Sequence, residues 1–215
     1  LGFQQTGITG VDLGEHEGYL QKWLDAGHHG SMEYMARHGN KRTRPDELVP
    51  GTLRVISLRM DYLEPDTQPL EVLAAPHKAY ISRYTLGRDY HKLIRRRLSQ
   101  LAQRIEAEVG GGEFRAFVDS APVLERAAAE QAGLGWIAKN TMLINRDAGS
   151  WFFLGEIFTN LPLPVDAAHS SKHCGTCTAC LDICPTNAFT GPFQLDARRC
   201  ISYITIEHQG SIDPE

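Results

Sequence analysis

The stretch Cys174-Gly175-Thr176-Cys177-Thr178-Ala179-Cys180-Leu181-Asp182-Ile183-Cys184-Pro185 divides the chain into two parts of different character. Its spacing is C-x2-C-x2-C-x3-C-P, the ferredoxin run that holds a [4Fe–4S] cluster. Three thiolates on a tight loop wrap one cubane. The fourth, three residues further on, has turned away and ligates a different cluster. Pro185 fixes φ and ends the turn, and Thr186-Asn187-Ala188 continues the ferredoxin-like pattern. A structural zinc site that includes His173 is the competing reading. Zinc sites pair separated C-x2-C knuckles, or one knuckle with histidines, so a doubled x2 spacing favours iron–sulfur.

Cys200 follows Cys184 by 16 positions. It could be a buried core thiol, but its place in a cysteine-only segment makes it an expected cluster ligand. Two cubanes take four thiolates each, and the sequence has five cysteines. Either one cluster forms, or further ligands lie beyond Glu215. The chain opens on Leu1-Gly2-Phe3 and ends on Ile212-Asp213-Pro214-Glu215, and both ends read as cut. A fragment with cysteines missing is therefore the expectation.

All five cysteines fall between Cys174 and Cys200, and the first 173 residues have none. A secreted disulfide scaffold would spread an even number over the fold. The clustering points instead to reduced thiols at a metal centre in the cytoplasm. The chain has 215 residues, of which 42% are hydrophobic and 22% charged, as in a folded domain with a small appendage. No run approaches the ~18 consecutive apolar residues of a membrane helix. The net charge of −4 excludes a uniformly basic nucleic-acid coat.

Before the cysteines, helices and strands alternate. Residues 15–27 read as an amphipathic helix with Leu20, Trp23 and Leu24 on one face, and residues 31–36 as another short helix. Leu53–Leu58 is β-branched and reads as a strand, whereas residues 61–77, with Pro65, Pro69 and Pro76, read as a loop. Ile94, Leu98, Leu101 and Ile105 predict a helix over 90–109, stopped by Gly110-Gly111-Gly112. Strands are expected at 115–118, 142–144 and 151–158, and a helix at 123–132. Leu161-Pro162-Leu163-Pro164 reads as a linker. The expected fold is thus an α/β (α+β) layered domain over residues 1–165, followed by a ferredoxin-like [4Fe–4S] domain over 166–215.

Charge is segregated. Residues 36–99 carry thirteen Lys and Arg against seven Asp and Glu, a net +6, and the remainder is −10. Arg95-Arg96-Arg97 is either a solvated helix face or a phosphate-contacting patch for RNA.

Several segments together resemble the epoxyqueuosine reductases. They are Trp23-Leu24 with His29-Gly30, Met35-Ala36-Arg37-His38, Pro50-Gly51-Thr52, Ser82-Arg83-Tyr84 and Gly87-Arg88-Asp89-Tyr90-His91-Lys92. Phe117-Val118-Asp119-Ser120-Ala121-Pro122-Val123-Leu124-Glu125, Ala132-Gly133-Leu134-Gly135-Trp136, the cysteine run and Asp196-Ala197-Arg198-Arg199-Cys200-Ile201-Ser202-Tyr203 continue the likeness. It spans essentially the whole chain. The family's second C-x2-C-x3-C-P run and its C-terminal helical repeats are not in this sequence, and Ala138 stands where the family usually has glycine.

The resemblance implies a fold, an activity and a set of site residues. The family reduces epoxyqueuosine to queuosine in the tRNA anticodon loop, using cobalamin and two [4Fe–4S] clusters. Residues 1–165 would bind cobalamin. Cys174, Cys177 and Cys180 would hold one cluster, and Cys184 and Cys200 the other, each completed by further thiolates. Asp119 on its own reads as a helix cap before Ser120-Ala121-Pro122. The resemblance makes it the proton donor to the substrate oxygen and passes the capping role to Ser120. Arg37, otherwise a solvated charge, becomes a corrin contact, as do Asp119 itself, Lys139, Asn140, Thr141, Leu143 and Ser202. No Asp-x-His-x-x-Gly motif is present, so no protein histidine is expected on cobalt. Tyr84 and Tyr90 are candidates for stacking on a base flipped from the anticodon loop. The expected partners are tRNA and an external electron donor, with no membrane, for a cytoplasmic monomer.

Three other functions compete. One is a corrinoid iron–sulfur reductase of a small molecule, like the reductive dehalogenases. Another is a plain ferredoxin-like electron carrier, which would leave the first 165 residues without a purpose. The last is an RNA-binding module with a structural cluster.

Overall fold

A computed structural model describes residues 1–64, 68–169 and 173–212. The elements run β1 (Gln5–Thr9), α1 (His16–Asp25), α2 (Tyr34–Arg37), α3 (Pro45–Leu48), β2 (Arg54–Asp61), α4 (Pro69–Ala74), α5 (Tyr90–Val109), β3 (Phe114–Phe117) and α6 (Glu125–Gln131). They continue with β4 (Trp136–Ile137), β5 (Leu143–Ile144), β6 (Phe152–Thr159), α7 (Ala179–Asp182), β7 (Phe189–Gly191), β8 (Gln194–Leu195) and α8 (Ile201–Ile206).

The main sheet has the order β1-β2-β6-β3, and every pairing in it is antiparallel. The layered architecture is therefore of the α+β kind. The two central strands are buried on both faces because a helix covers each. On one face Ile56, Leu58, Met60 and Ile157 meet Ile94, Leu98 and Ala102 of α5. On the other Val55, Phe117 and Phe158 meet Ala127 and Ala128 of α6. Alternation along β2 sends Val55, Ser57 and Arg59 to the α6 side and Ile56, Leu58 and Met60 to the α5 side. Full burial of side chains such as Ile94 and Leu98, both 0% exposed, contributes about 1.5–3 kcal/mol each. Gly155 lets α5 come this close: a Cβ there would lie 2.9 Å from both Ile94 Cγ2 and Leu98 Cδ1.

Helix α5 matches the predicted bounds because both ends are marked. Asp89 caps it through the His91 N–H, and Gly110 ends it at φ +77°. Other expectations need correction. The predicted loop over 61–77, of which 65–67 lie outside the described residues, contains α4, started by Pro69 at its first turn. The helix expected from Val123 starts at Glu125, and its cap position, Leu124, makes no side-chain cap. Ser120 does not cap it: its Oγ bonds the Val118 carbonyl at 3.4 Å. Strand β1 is unforeseen, as are β4, which pairs with the expected β5, and the β7–β8 hairpin. Ala138 is 1% exposed, so its extra methyl is buried, and its N–H donates to the Met142 carbonyl at 2.9 Å.

The cysteine lobe docks through specific bonds. Trp23 Nε1 donates to the Leu195 carbonyl at 2.7 Å, and Tyr34 Oη to Glu207 at 2.9 Å. Tyr203 Oη accepts from the Ser31 N–H at 2.9 Å and bonds its Oγ at 2.7 Å. Gly30, at φ +59°, clears this contact, since a Cβ there would stand 2.6 Å from Tyr203 Oη. Residues 161–169 run back along the first lobe, where Arg54 Nε donates to the Leu163 carbonyl at 2.7 Å and Ile8 N–H to Asp166 Oδ2 at 2.8 Å. Among the described residues no helix is long and apolar enough to cross a membrane.

Candidate active site

Asp119 stands just past the end of β3, where the chain turns toward α6. Its φ is +49°, in the left-handed region that Asp tolerates better than most side chains. Three neighbours hold it there. Glu125 Oε1 accepts the Asp119 N–H at 2.5 Å. Tyr90 Oη donates to Asp119 Oδ2 at 2.7 Å, and His91 Nε2 lies 3.0 Å from the same oxygen. The other ring nitrogen, His91 Nδ1, lies 3.0 Å from Asp89 Oδ1. His91 thus bridges two carboxylates, and its bond holds Asp89 below the usual carboxylate range. The Asp119 side chain remains 57% exposed, so it is available to a substrate.

Tyr90 is fixed by stacking on Phe153 (4.2 Å, 12°) and on His91 (4.0 Å, 25°). Two rings thus pack against Tyr90, one from the sheet and one from its own helix. Burial, and then the Asp119 carboxylate, push its phenol well above the ordinary value, so it acts as a hydrogen-bond donor. Tyr84 packs edge-on to it at 6.4 Å.

Beneath Asp119 lies a second pair of carboxyls. Glu156 on β6 is 0% exposed, as is Ser57 opposite it on β2. Among the described residues neither Glu156 oxygen nor Ser57 Oγ has a hydrogen-bond partner of good geometry. Burial, and then the neighbouring Glu125, hold the Glu156 carboxyl protonated well above the carboxylate range. Glu125 itself is pushed up to about 7, chiefly by burial and against the opposing pull of the Asp119 N–H. The sequence reading missed Glu156, although a lone acid within the apolar run Phe152–Thr159 was its visible sign. It also missed Glu125, Asp89 and His91 as neighbours of Asp119; consecutive Asp89-Tyr90-His91 at a helix start was the available signal.

The other expected site residues are spread around this centre. Arg37 and Ser202 are exposed. Asn140 Oδ1 accepts the Met142 N–H at 3.1 Å. Thr141 sits at φ +64°, and its carbonyl accepts from Arg126. Lys139 Nζ donates to the carbonyls of Gly175 at 2.7 Å and Cys177 at 2.9 Å, tying this loop to the cysteine run. The Leu143 side chain, 2% exposed, packs with Ala129, Ala132 and Leu134. On the basic helix Arg95 and Arg96 are exposed, whereas Arg97 turns back to contact Met60 Sδ at 3.0 Å.

All five cysteines are free thiols, Cys177 exposed and the other four half-buried. The Cys177 N–H bonds the Cys174 carbonyl at 2.8 Å and closes the first turn. Cys184 Sγ accepts the Ala188 N–H at 3.3 Å, and this bond foremost holds the thiol below its ordinary pKa. Cys200 opens α8. Among the described residues no three His, Cys, Asp or Glu converge as they would on a single metal ion. The donors of a cubane attach to separate irons, and a set made of thiols alone in this spacing suits that arrangement.

The sequence matches the family described as "Epoxyqueuosine reductase QueG, DUF1730" over residues 42–120, and "4Fe-4S double cluster binding domain" over residues 173–215. An epoxyqueuosine reductase of Pseudomonas aeruginosa is 72% identical over the whole chain, which covers 60% of that relative's length. A crystal structure of epoxyqueuosine reductase with an epoxyqueuosine-modified tRNA-Tyr stem loop superposes with a TM-score of 0.81 at 30% identity, covering 95% of this chain and 54% of that one. A Bacillus subtilis structure, described as having its catalytic aspartate loop swung out of the active site, superposes with a TM-score of 0.80 at 30% identity and the same coverages. The chain therefore spans a little over half the length of these relatives, and by their agreement over its whole extent it belongs to the epoxyqueuosine reductase family.

Proposed function

We propose that the protein reduces epoxyqueuosine to queuosine in the anticodon loop of tRNA, with Asp119 as the proton donor. Residues 1–165 form the cobalamin-binding unit and 166–215 part of the iron–sulfur unit. When bound, cobalamin supplies a strongly reducing cobalt, and the [4Fe–4S] clusters supply its electrons from an external donor. Arg37, Asn140, Thr141 and Ser202 suit corrin amides. Lys139 contributes by anchoring its loop to the cysteine run, and Leu143 through its backbone.

Removing the epoxide oxygen as water takes two electrons and two protons and leaves a carbon–carbon double bond. The observation that carries the proposal is the placement of Asp119. Its backbone is locked by Glu125, and one carboxyl oxygen is held by Tyr90 and His91. That leaves Oδ1 available to face a substrate oxygen. A positioned general acid contributes roughly 10²–10⁴-fold. The stem loop in the related structure and the exposed Arg95 and Arg96 on α5 support tRNA as the substrate carrier, held through its phosphates.

The test is Asp119→Asn in the reconstituted holoenzyme, with queuosine counted in digested tRNA. Asn keeps the left-handed backbone accessible and removes the titratable proton. Turnover should fall at least about 100-fold with tRNA binding intact. Turnover within a few fold of the parent would remove Asp119 from the role.

A further inference from the structure

We infer that His91 is a proton relay that recharges Asp119, with Asp89 holding its ring in position. The inference rests on Asp119 being the proton donor. Two protons are consumed per substrate, and one carboxyl delivers one at a time. For Asp119 to deliver both, it has to regain a proton while the substrate is still bound.

The geometry supplies a route. His91 Nε2 lies 3.0 Å from Asp119 Oδ2, and Nδ1 lies 3.0 Å from Asp89 Oδ1. The His91 side chain is 39% exposed, so one edge of the ring reaches water while its Nε2 reaches the acid. The cap of α5 explains only part of this, because it needs the His91 backbone N–H on Asp89 Oδ1, at 3.0 Å, and not the ring. The ring contacts on both sides are additional, and a bond at Nδ1 fixes which nitrogen faces Asp119.

In the relay, protonated His91 passes its Nε2 proton to Asp119 Oδ2 after Asp119 has protonated the epoxide oxygen. The N–H bond breaks as the O–H bond forms, and neutral imidazole keeps its Nδ1 proton against Asp89. A turn of the carboxyl about its Cβ–Cγ bond brings that proton to the substrate side, where Asp119 protonates the hydroxyl, which leaves as water. His91 is reprotonated from solvent, so no electrons pass through it. The groups facing it are Asp89, Asp119 and the stacked Tyr90 ring, with Lys92 behind Asp89 at 3.8 Å. Tyr90 donates to the same Asp119 oxygen, but its phenol is held too weakly acidic to substitute.

The test compares His91→Gln, Asp89→Asn and Asp119→Asn in reconstituted holoenzyme acting on epoxyqueuosine-containing tRNA. Gln retains hydrogen bonding without a titratable ring, and Asn retains the helix cap. For His91→Gln the expected result is a kcat lower by roughly 10- to 100-fold with KM unchanged. Added imidazole should restore it in proportion to the imidazolium concentration. Asp89→Asn should lose roughly tenfold, as for a group that orients another. Asp119→Asn should be inactive with or without imidazole. Full kcat in His91→Gln beside an inactive Asp119→Asn would overturn the relay and leave Asp119 in its role. A loss in His91→Gln that imidazole does not restore would make His91 structural and also overturn it. An active Asp119→Asn would remove the proton-donor reading and the relay together.

Discussion

The two lobes are stabilised in different ways. The first buries whole side chains on both faces of its sheet, with Val55, Ile94, Leu98, Leu134 and Ile157 all at 0% exposure. In the second, among the described residues from 173 onward, only Ala188, Asp196 and Ala197 are buried, while Ile183 is 81% and Ile206 65% exposed. Two alanines and an aspartate make no hydrophobic core. A segment this size with so little buried surface needs a staple, as small metal-binding domains do. On the function proposed above, the thiols around its loops are that staple, and binding of iron and sulfide would be coupled to folding there. Burial specifies the first lobe, whereas the described part of the second has little of it.

The most severe way to break this contrast is to remove the clusters, by chelation or by Cys180→Ser. Limited proteolysis should then cut within 173–212 while residues 1–160 stay protected and melt at their former temperature. Cooperative melting of both lobes together would deny the contrast. Next in size is Leu98→Ala, which opens a cavity under Gly155. It should cost the first lobe about 2–5 kcal/mol in denaturant unfolding and leave the cluster absorption spectrum unchanged. The smallest effect belongs to Glu156→Gln. The native carboxyl holds its proton well above the ordinary carboxylate value of 4.5, so the folded state binds a proton that the unfolded chain releases as pH rises through that value. Stability therefore declines with pH from about there up to the raised native pKa. Gln mimics the protonated form, so the variant should match the parent at low pH. At pH 8 it should be the more stable of the two, with a flatter pH profile for the first lobe alone.

The legibility of each lobe follows the same division. Helix α5 reads directly from Ile94, Leu98, Leu101 and Ile105 because its burial is periodic and both its ends are marked. Strand β1 hides because it is an edge strand with little apolar signal: Gly7 has no side chain and faces the Ala132 carbonyl, which a Cβ would approach to 1.9 Å. Helix α4 hides because its Leu70 and Leu73 are 78% and 61% exposed, so no amphipathic stripe distinguishes it from a loop. In the second lobe the spacing of the cysteines is informative and almost nothing else is, since short elements with little buried surface leave no hydrophobic period. Asp119 is recognisable from its family text, but its partners are not. Asp89, Tyr90 and His91 lie about thirty positions upstream, and only the folding of α5 against the sheet brings them to it.

The left-handed backbone at Asp119 has an evolutionary consequence. Glycine, asparagine and aspartate are the residues that adopt this conformation readily, so the fold itself shortens the list of side chains available at that position. Of the three, aspartate alone carries an exchangeable acid proton, and each of the other two is one nucleotide away from an aspartate codon. On the proton-donor role proposed above, drift at this site would therefore yield a well-folded protein unable to protonate the substrate. Purifying selection here would have to act on chemistry, because structural stability offers the position no protection.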